Sequence, residues 1–169
     1  GATHRAARAR GARAVLVVPS LINRWEVLDL TAEKSLLRAM AAHGLRPYLV
    51  DWGTPNAEER GFDTTAYVAR LERAVAFLTK RARRAPAVMG YCMGGTLAVG
   101  LAARVPEAVS ALIAIGAPWD FSANVGIAGA LRSLIRSRGA PRADQLLRSM
   151  GEGFGLVPVN FLQTLFALV

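Results

Sequence analysis

The sequence predicts an α/β fold in three layers, with helices on both faces of a parallel central sheet. Along the first two thirds of the chain, apolar runs alternate with helical patterns in the order strand, helix, strand, helix, strand, helix, strand. Such alternation is typical of right-handed crossovers in a parallel sheet. The composition agrees, because 53% hydrophobic and 20% charged residues suit a globular chain, and 169 residues suit a single domain.

Each element has its own sequence pattern. The predicted strands are short apolar runs, and they cover residues 13–19, 47–51, 85–91 and 109–115. The predicted helices lie between them and cover residues 31–43, 64–83 and 94–105. Thr31 is expected to cap the first helix, and Gly44 to follow its last residue. In the second helix, the residues whose spacing predicts contact with the sheet are Leu71, Val75, Phe77 and Leu78.

After residue 121 the alternation stops, and short amphipathic patterns broken by glycine and proline follow. We therefore expect a basic N-terminal arm at 1–12, a core at 13–121 and a helical cap or lid segment at 122–169. No uninterrupted apolar stretch reaches the about 18 residues of a membrane span, so none is predicted. A single cysteine excludes an internal disulfide and suits a reducing cytoplasm.

The net charge of +9 comes mostly from arginines clustered at residues 5–13, 80–84 and 132–142. Three interpretations are open. The clusters could be solvated helix faces with a basic arm, or they could attract an anionic substrate such as a CoA thioester. Nucleic-acid binding is disfavoured, since no recognised nucleic-acid module accompanies the charge. No metal site is predicted.

The one cysteine, Cys92, lies between Gly90 and Gly94, after a predicted strand and before a predicted helix. This spacing is typical of a nucleophile elbow, the sharp turn of α/β-hydrolases, in which only tiny residues fit two positions either side of the nucleophile. Gly95 continues the small stretch. The turn would place the sulfur at a helix N-terminus, where the helix dipole and free amides favour a thiolate. The alternative is a buried structural cysteine in a glycine-rich turn.

An elbow of this kind also predicts an oxyanion site. The backbone N–H of Met93 would point to where an oxyanion forms. The second N–H would come from the loop after the first strand, so Leu21 and Ile22 are the candidates.

Three segments resemble a known family. The elbow, 90–95, is similar to those of dienelactone hydrolases and polyhydroxyalkanoate synthases. The stretch V-P-S-L-I-N-R-W-E-V-L-D-L at 18–30 resembles the synthases, and Y-L-V-D-W-G-T-P at 48–55 resembles those that work with a second subunit. The resemblance implies an acyltransferase that joins (R)-3-hydroxyacyl units from CoA thioesters into polyester and releases CoA. It implies that Cys92 carries the growing polyester, with no permanently bound cofactor.

The resemblance further implies a second synthase subunit or a homodimer through the cap, and a place in the cytoplasm or at a polyester granule surface. The family's triad order is nucleophile, acid, histidine. The two histidines, His4 and His43, both precede Cys92, so neither receives the role of base. Asp120 is the candidate acid, with a capping or loop role as the alternative.

Four predicted strands are fewer than the about eight of a whole α/β-hydrolase sheet. We therefore expect the N-terminal portion of a longer protein, inactive or nearly so by itself. Two other functions stay open on the same fold. One is a cysteine hydrolase of the dienelactone or esterase kind, and the other is a non-catalytic interaction protein that keeps the elbow without its triad.

Overall fold

The structure is a computed structural model that describes residues 11–120 together with residues 145, 149 and 152. The chain divides into two compact units, Gly1–Pro118 and Trp119–Val169. Apart from the positions just named, the predicted arm at 1–12 and cap at 122–169 lie outside the described residues. No helix among the described residues has the length and apolar character needed to cross a membrane.

The predicted parallel α/β sheet is confirmed in the described part of the chain. Its strands are β1 (Arg13–Val18), β2 (Leu45–Leu49), β3 (Ala87–Tyr91) and β4 (Ala111–Ile115). Their order across the sheet is β2-β1-β3-β4, and every neighbouring pair is parallel. The connecting helices are α1 (Leu36–Ala42), α2 (Thr64–Ala82) and α3 (Met93–Arg104). All carboxyl ends of the strands therefore lie at one edge of the sheet.

The side chains of β1 alternate between two apolar clusters, which explains the three layers. Leu16 and Val18 face the cluster that contains residues of α2 and α3, whereas Val15 and Val17 face the cluster that contains Met40 of α1. Five of the six residues of β1 are buried. A strand covered on both faces reads as a continuous apolar run, and for this reason β1 was predictable without periodicity.

The long helix α2 begins where predicted, because Asp63 is extended and its carboxylate accepts the Ala66 N–H at 2.9 Å. The predicted inward face is confirmed for the three buried residues Leu71, Val75 and Leu78. The prediction is wrong for Phe77, of which 60% is exposed. It lies two residues after Val75, so at about 100° per residue it points away from the buried stripe.

The first helix begins later than predicted. It starts at Leu36, with the Ser35 hydroxyl accepting the Arg38 N–H at 2.9 Å, so Ser35 rather than Thr31 is the N-cap. The hydroxyl of Thr31 instead accepts the Lys34 N–H at 3.0 Å and closes a turn. An isolated bridge between Asp29 and Ser35 holds the two ends of that turn side by side, which excludes helix there. Gly44 follows the helix with φ of +80°, as expected of a residue after a helix end.

Candidate active site

Cys92 occupies the junction between β3 and α3 in a backbone conformation that few residues adopt. Its φ is 53° and its ψ is −129°, and in the described chain only Arg83 shares a positive φ among non-glycine residues. The turn is held by the Cys92 N–H, which donates to the Ile115 carbonyl at 2.9 Å, and by the Gly95 N–H, which donates to the Cys92 carbonyl at 2.7 Å. Such a conformation costs on the order of 1–3 kcal/mol and persists only where its surroundings enforce it.

Three glycines let the backbone close around this junction. A Cβ on Gly90 would lie 2.5 Å from the Gly94 carbonyl oxygen and 2.6 Å from the Gly95 nitrogen. A Cβ on Gly94 would lie 2.8 Å from the Pro19 carbonyl carbon, and would be closer still to the carbonyl oxygens of Val18 and Pro19. A Cβ on Gly95 would lie 2.6 Å from that of Ala117. The end of β1 and the segment after β4 therefore both pack against the first turn of α3.

The loop after β1 contains the two candidate oxyanion donors, and the structure distinguishes them. Ser20 is fully buried, and its hydroxyl accepts the Ile22 N–H at 3.1 Å. The Leu21 N–H makes no hydrogen bond with any residue that the structure describes. Across the loop, Met93 is the first residue of α3, and the N–H of such a residue has no partner within its helix. The amides of Leu21 and Met93 thus have no hydrogen-bond partner among the described residues, whereas the amide of Ile22 is occupied.

A second contact anchors the same loop from the end of β2. The indole N–H of Trp52 donates to the Pro19 carbonyl at 3.1 Å. The Trp52 ring meets Tyr67 edge-on at 5.5 Å, and Tyr67 meets Phe62 in the same way at 5.7 Å. The three rings thus tie the loop after β2 to α2. No sequence pattern predicts a role for Ser20 or Trp52, although both lie in the segments that carry the family resemblance.

The segment that leads into α2 is fixed by charge. Arg70 lies 4.5 Å from the centroid of the Phe62 ring, and its guanidinium donates to the Glu59 carboxylate at 2.7 Å. This hydrogen bond from Arg70 is the main reason why the pKa of Glu59 is below its ordinary value. The pair stabilises the approach to the helix that carries Tyr67.

His43 and the basic cluster at 80–84 do not lie at the edge of the sheet that carries Cys92. His43 caps the C-terminus of α1 just before β2 begins, with Nδ1 at 2.8 Å from the Ala39 carbonyl. It therefore lies at the amino edge of the sheet, whereas Cys92 follows β3 at the carboxyl edge, about five residues or 16 Å along a strand. Lys80 and Arg84 likewise end α2 or precede β3. The other clusters, 5–13 and 132–142, fall largely outside the described residues, as does His4.

Asp120, the candidate acid, lies after β4 in the second unit of the chain, where it is exposed and engaged in an interaction. The segment just before it is attached to α3, since the Thr96 hydroxyl donates to the Pro118 carbonyl at 2.6 Å. No group of three metal-ligating side chains occurs within the part of the chain that the structure describes.

Comparison with known proteins agrees with this geometry. The family model described as "Alpha/beta hydrolase family" matches residues 8–167. The poly(3-hydroxyalkanoate) polymerase subunit PhaC of Haloferax mediterranei is 31% identical over 157 residues, which are 92% of this chain and 30% of that protein. The subunit of the same name from Synechocystis sp. is 28% identical over 157 residues, which are 92% of this chain and 40% of that protein.

Among solved structures, a predicted CIB-like hydrolase from Thermoplasma acidophilum superposes with a TM-score of 0.52 and 17% identity, over 69% of this chain and 56% of that one. This likeness concerns the fold alone. The chain spans between 30% and 40% of the length of the two polymerases. From the family match, the parallel sheet and the polymerase relatives, we conclude that the chain belongs to the α/β-hydrolase family and, within it, to the polyhydroxyalkanoate synthases.

Proposed function

We propose that this chain supplies the nucleophile and the oxyanion-binding amides of a cysteine acyltransferase that polymerises (R)-3-hydroxyacyl groups from CoA thioesters. The observation that carries the proposal is the conformation of Cys92, a strained thiol-bearing residue between β3 and α3. Gly90 and Gly94 have no side chain where the neighbouring backbone approaches. A merely structural cysteine needs neither the positive φ nor the two close backbone contacts. The names of the two polymerase relatives support the choice of substrate.

The proposed reaction begins when the Cys92 thiolate attacks the carbonyl carbon of the CoA thioester. The carbonyl oxygen becomes an oxyanion that accepts hydrogen bonds from the N–H groups of Met93 and Leu21. The bond from carbon to the CoA sulfur then breaks, CoA leaves as a thiolate that takes up a proton, and the acyl group stays on Cys92. One thioester replaces another, so this step is nearly balanced in energy.

In the second half-reaction, the hydroxyl of an incoming (R)-3-hydroxyacyl-CoA attacks the acyl carbon of the polyester held on Cys92. A new ester bond forms, the carbon–sulfur bond to Cys92 breaks, and the hydroxyl proton passes to the sulfur through a base. The extended polyester is then a CoA thioester, and a repeat of the first half-reaction returns it to Cys92 and releases CoA. We assign this base to no residue within 11–120, because His43 lies at the opposite edge of the sheet. Asp120 stays the candidate acid. The proposal includes no permanently bound cofactor, a partner that is a second synthase subunit or another copy of the chain, and a location in the cytoplasm or at the polyester granule surface.

The test is acylation of Cys92 by (R)-3-hydroxybutyryl-CoA at mildly alkaline pH, followed by chromatography of released CoA and by intact mass of the protein. We expect a stoichiometric acyl adduct that maps to Cys92 and is absent from Cys92→Ala. Gly100→Ala is the matched control, because Gly100 lies in the same helix but eight positions after Cys92, and a Cβ there would make only an ordinary contact with a Val68 methyl, at 3.4 Å. Steady release of free 3-hydroxybutyrate would indicate the hydrolase instead. If no adduct forms and no CoA or 3-hydroxybutyrate is released, the result would support the non-catalytic alternative.

A further inference from the structure

We propose that Ser20 is a positioning residue for the oxyanion site, because its buried hydroxyl binds the amide of Ile22 and leaves the amide of Leu21 as the second donor. The proposal rests on the proposed function, since it requires an oxyanion to form beside Cys92. It goes beyond that function by assigning a task to a side chain that never touches the substrate.

Ser20 is a fully buried polar residue. Ser20 is 0% exposed, and in the described part of the chain the only other buried polar residue is Ser35, at 9%. A hydroxyl removed from water costs free energy unless it is hydrogen-bonded. The Ser20 hydroxyl has that bond at 3.1 Å, to an amide only two residues further along the chain. The bond therefore fixes the turn of the loop at Leu21, the residue between its two ends.

The turn at Leu21 begins beside the elbow. Val18 pairs with Gly90 in the sheet, and the carbonyl groups of Val18 and Pro19 lie against the backbone of Gly94. Gly90 and Gly94 are the residues two before and two after Cys92. The Pro19 carbonyl is also held by the indole of Trp52. The start of the loop is thus locked beside the elbow, and only the direction of the following amides is left for Ser20 to set.

The N–H groups of Leu21 and Ile22 differ in their hydrogen bonding. The side chain of Leu21 packs against the core cluster between the sheet, α2 and α3. Its amide makes no hydrogen bond with any residue within 11–120, whereas Ile22's is occupied. A partly buried N–H needs an acceptor. The oxygen of an acyl group on Cys92 is such an acceptor, together with the free amide of Met93.

Two reactions of the same thiol separate this task from ordinary loop stabilisation. Acylation of Cys92 passes through an oxyanion, whereas alkylation by iodoacetamide is a displacement at carbon that forms none. Both need the same thiolate and the same access. The ratio of the two rate constants therefore reports on the oxyanion amides alone.

The experiment uses the full chain and measures two rate constants, the burst of p-nitrophenolate from p-nitrophenyl butyrate and the alkylation by iodoacetamide. In Ser20→Ala we expect acylation to fall by about tenfold to hundredfold while alkylation is unchanged, since a misplaced donor costs somewhat less than a deleted one. Ser35→Ala is the matched control. Its hydroxyl is also buried and also accepts a backbone N–H, at 2.9 Å, but it caps α1. Its ratio should equal that of the unaltered chain.

The pair Ser20→Thr and Ser20→Val covers the case in which Ser20→Ala does not fold. The two side chains have nearly the same shape, but only threonine keeps the hydroxyl. The ratio of the acylation to the alkylation rate constant should therefore fall in the valine variant alone. Equal ratios in the two variants, or an equal fall of both rate constants in Ser20→Ala, would overturn the role of Ser20. An unaltered chain that is alkylated but never acylated at Cys92 would instead refute the proposed function, and the role of Ser20 with it.

Discussion

Replacing Gly94 by alanine is expected to destabilise the first unit strongly, although alanine is the better helix former. The added methyl carbon would lie 2.8 Å from the Pro19 carbonyl carbon and closer still to the carbonyl oxygens of Val18 and Pro19. All three atoms belong to backbone, so no side-chain rotation can make room. Val18 is the last residue of β1, which pairs with strands on both sides. Relief therefore requires that β1 and α3 move apart.

The magnitude follows from two opposing terms. Overpacking a dense interior costs about 1–3 kcal/mol, and the rigidity of the backbone here argues for the upper end. Replacing glycine by alanine within a helix gains at most about 1 kcal/mol. We therefore expect a net loss of about 2 kcal/mol in the free energy of unfolding. Gly100 lies in the same helix, and a Cβ there would meet only the Val68 methyl, at 3.4 Å. Gly100→Ala should be neutral or gain up to about 1 kcal/mol.

The two variants should thus differ by about 2–3 kcal/mol in the free energy of unfolding, or about 4–12 °C in Tm for a chain of this size. Urea unfolding followed by the fluorescence of the three tryptophans measures the difference. Equal unfolding midpoints for Gly94→Ala and Gly100→Ala would contradict this prediction. Such a result would mean that β1 and α3 are not in close backbone contact at Gly94.

Two further predictions concern the surroundings of the site. Trp52→Phe keeps an aromatic ring against Tyr67 but removes the N–H bound to the Pro19 carbonyl, so we expect a loss of about 1–2 kcal/mol in urea unfolding. An unfolding midpoint of Trp52→Phe equal to that of the unaltered chain would contradict a stabilising role for this hydrogen bond. The pKa of Asp29 is held below its ordinary value of 3.8, mainly by a hydrogen bond from the Ser35 hydroxyl and to a smaller extent by Arg38. The stabilisation that ionised Asp29 contributes is therefore complete above pH 3.8 and is lost as the pH falls through the lowered pKa. Acid titration of Asp29→Asn should therefore show a shallower loss of stability below pH 3.8 than the unaltered chain, and identical curves would contradict the assignment.

The strands could be predicted from the sequence because each is a short apolar run, and β1 is apolar on both faces because helices cover both. The helix α2 was predictable because its cap and its buried stripe are local. The start of α1 was not, because the turn that displaces it depends on a bridge between Asp29 and Ser35. That pairing has no periodic signal, and the capping chemistry of Thr31 serves a turn as well as a helix.

The site shows the same division between local and distant causes. The spacing of Gly90, Cys92 and Gly94 predicts an elbow because the steric demand acts within a few residues. The choice between Leu21 and Ile22 was left open, since it depends on which amide the Ser20 hydroxyl binds. The Trp52 contact joins residues 33 positions apart, so no local pattern reveals it. Sequence patterns therefore predict the elbow and its candidate nucleophile, and only the structure shows how the neighbouring loop is held.

The proposed chemistry needs oxyanion stabilisation and proton transfer, and the described residues offer groups for the first but no base for the second. Stabilisation of an oxyanion needs only amides, and those of Leu21 and Met93 come from the loop after β1 and the first turn of α3, which are joined by backbone contacts within the first unit. Proton transfer needs a base, and the one histidine within 11–120 lies at the other edge of the sheet. Amide donors alone can retain about 10³–10⁴-fold catalysis when a triad member is missing. Single acylation of Cys92 by an activated ester should therefore be accelerated even where turnover is not, because an alkaline medium can replace the base but cannot replace a positioned amide.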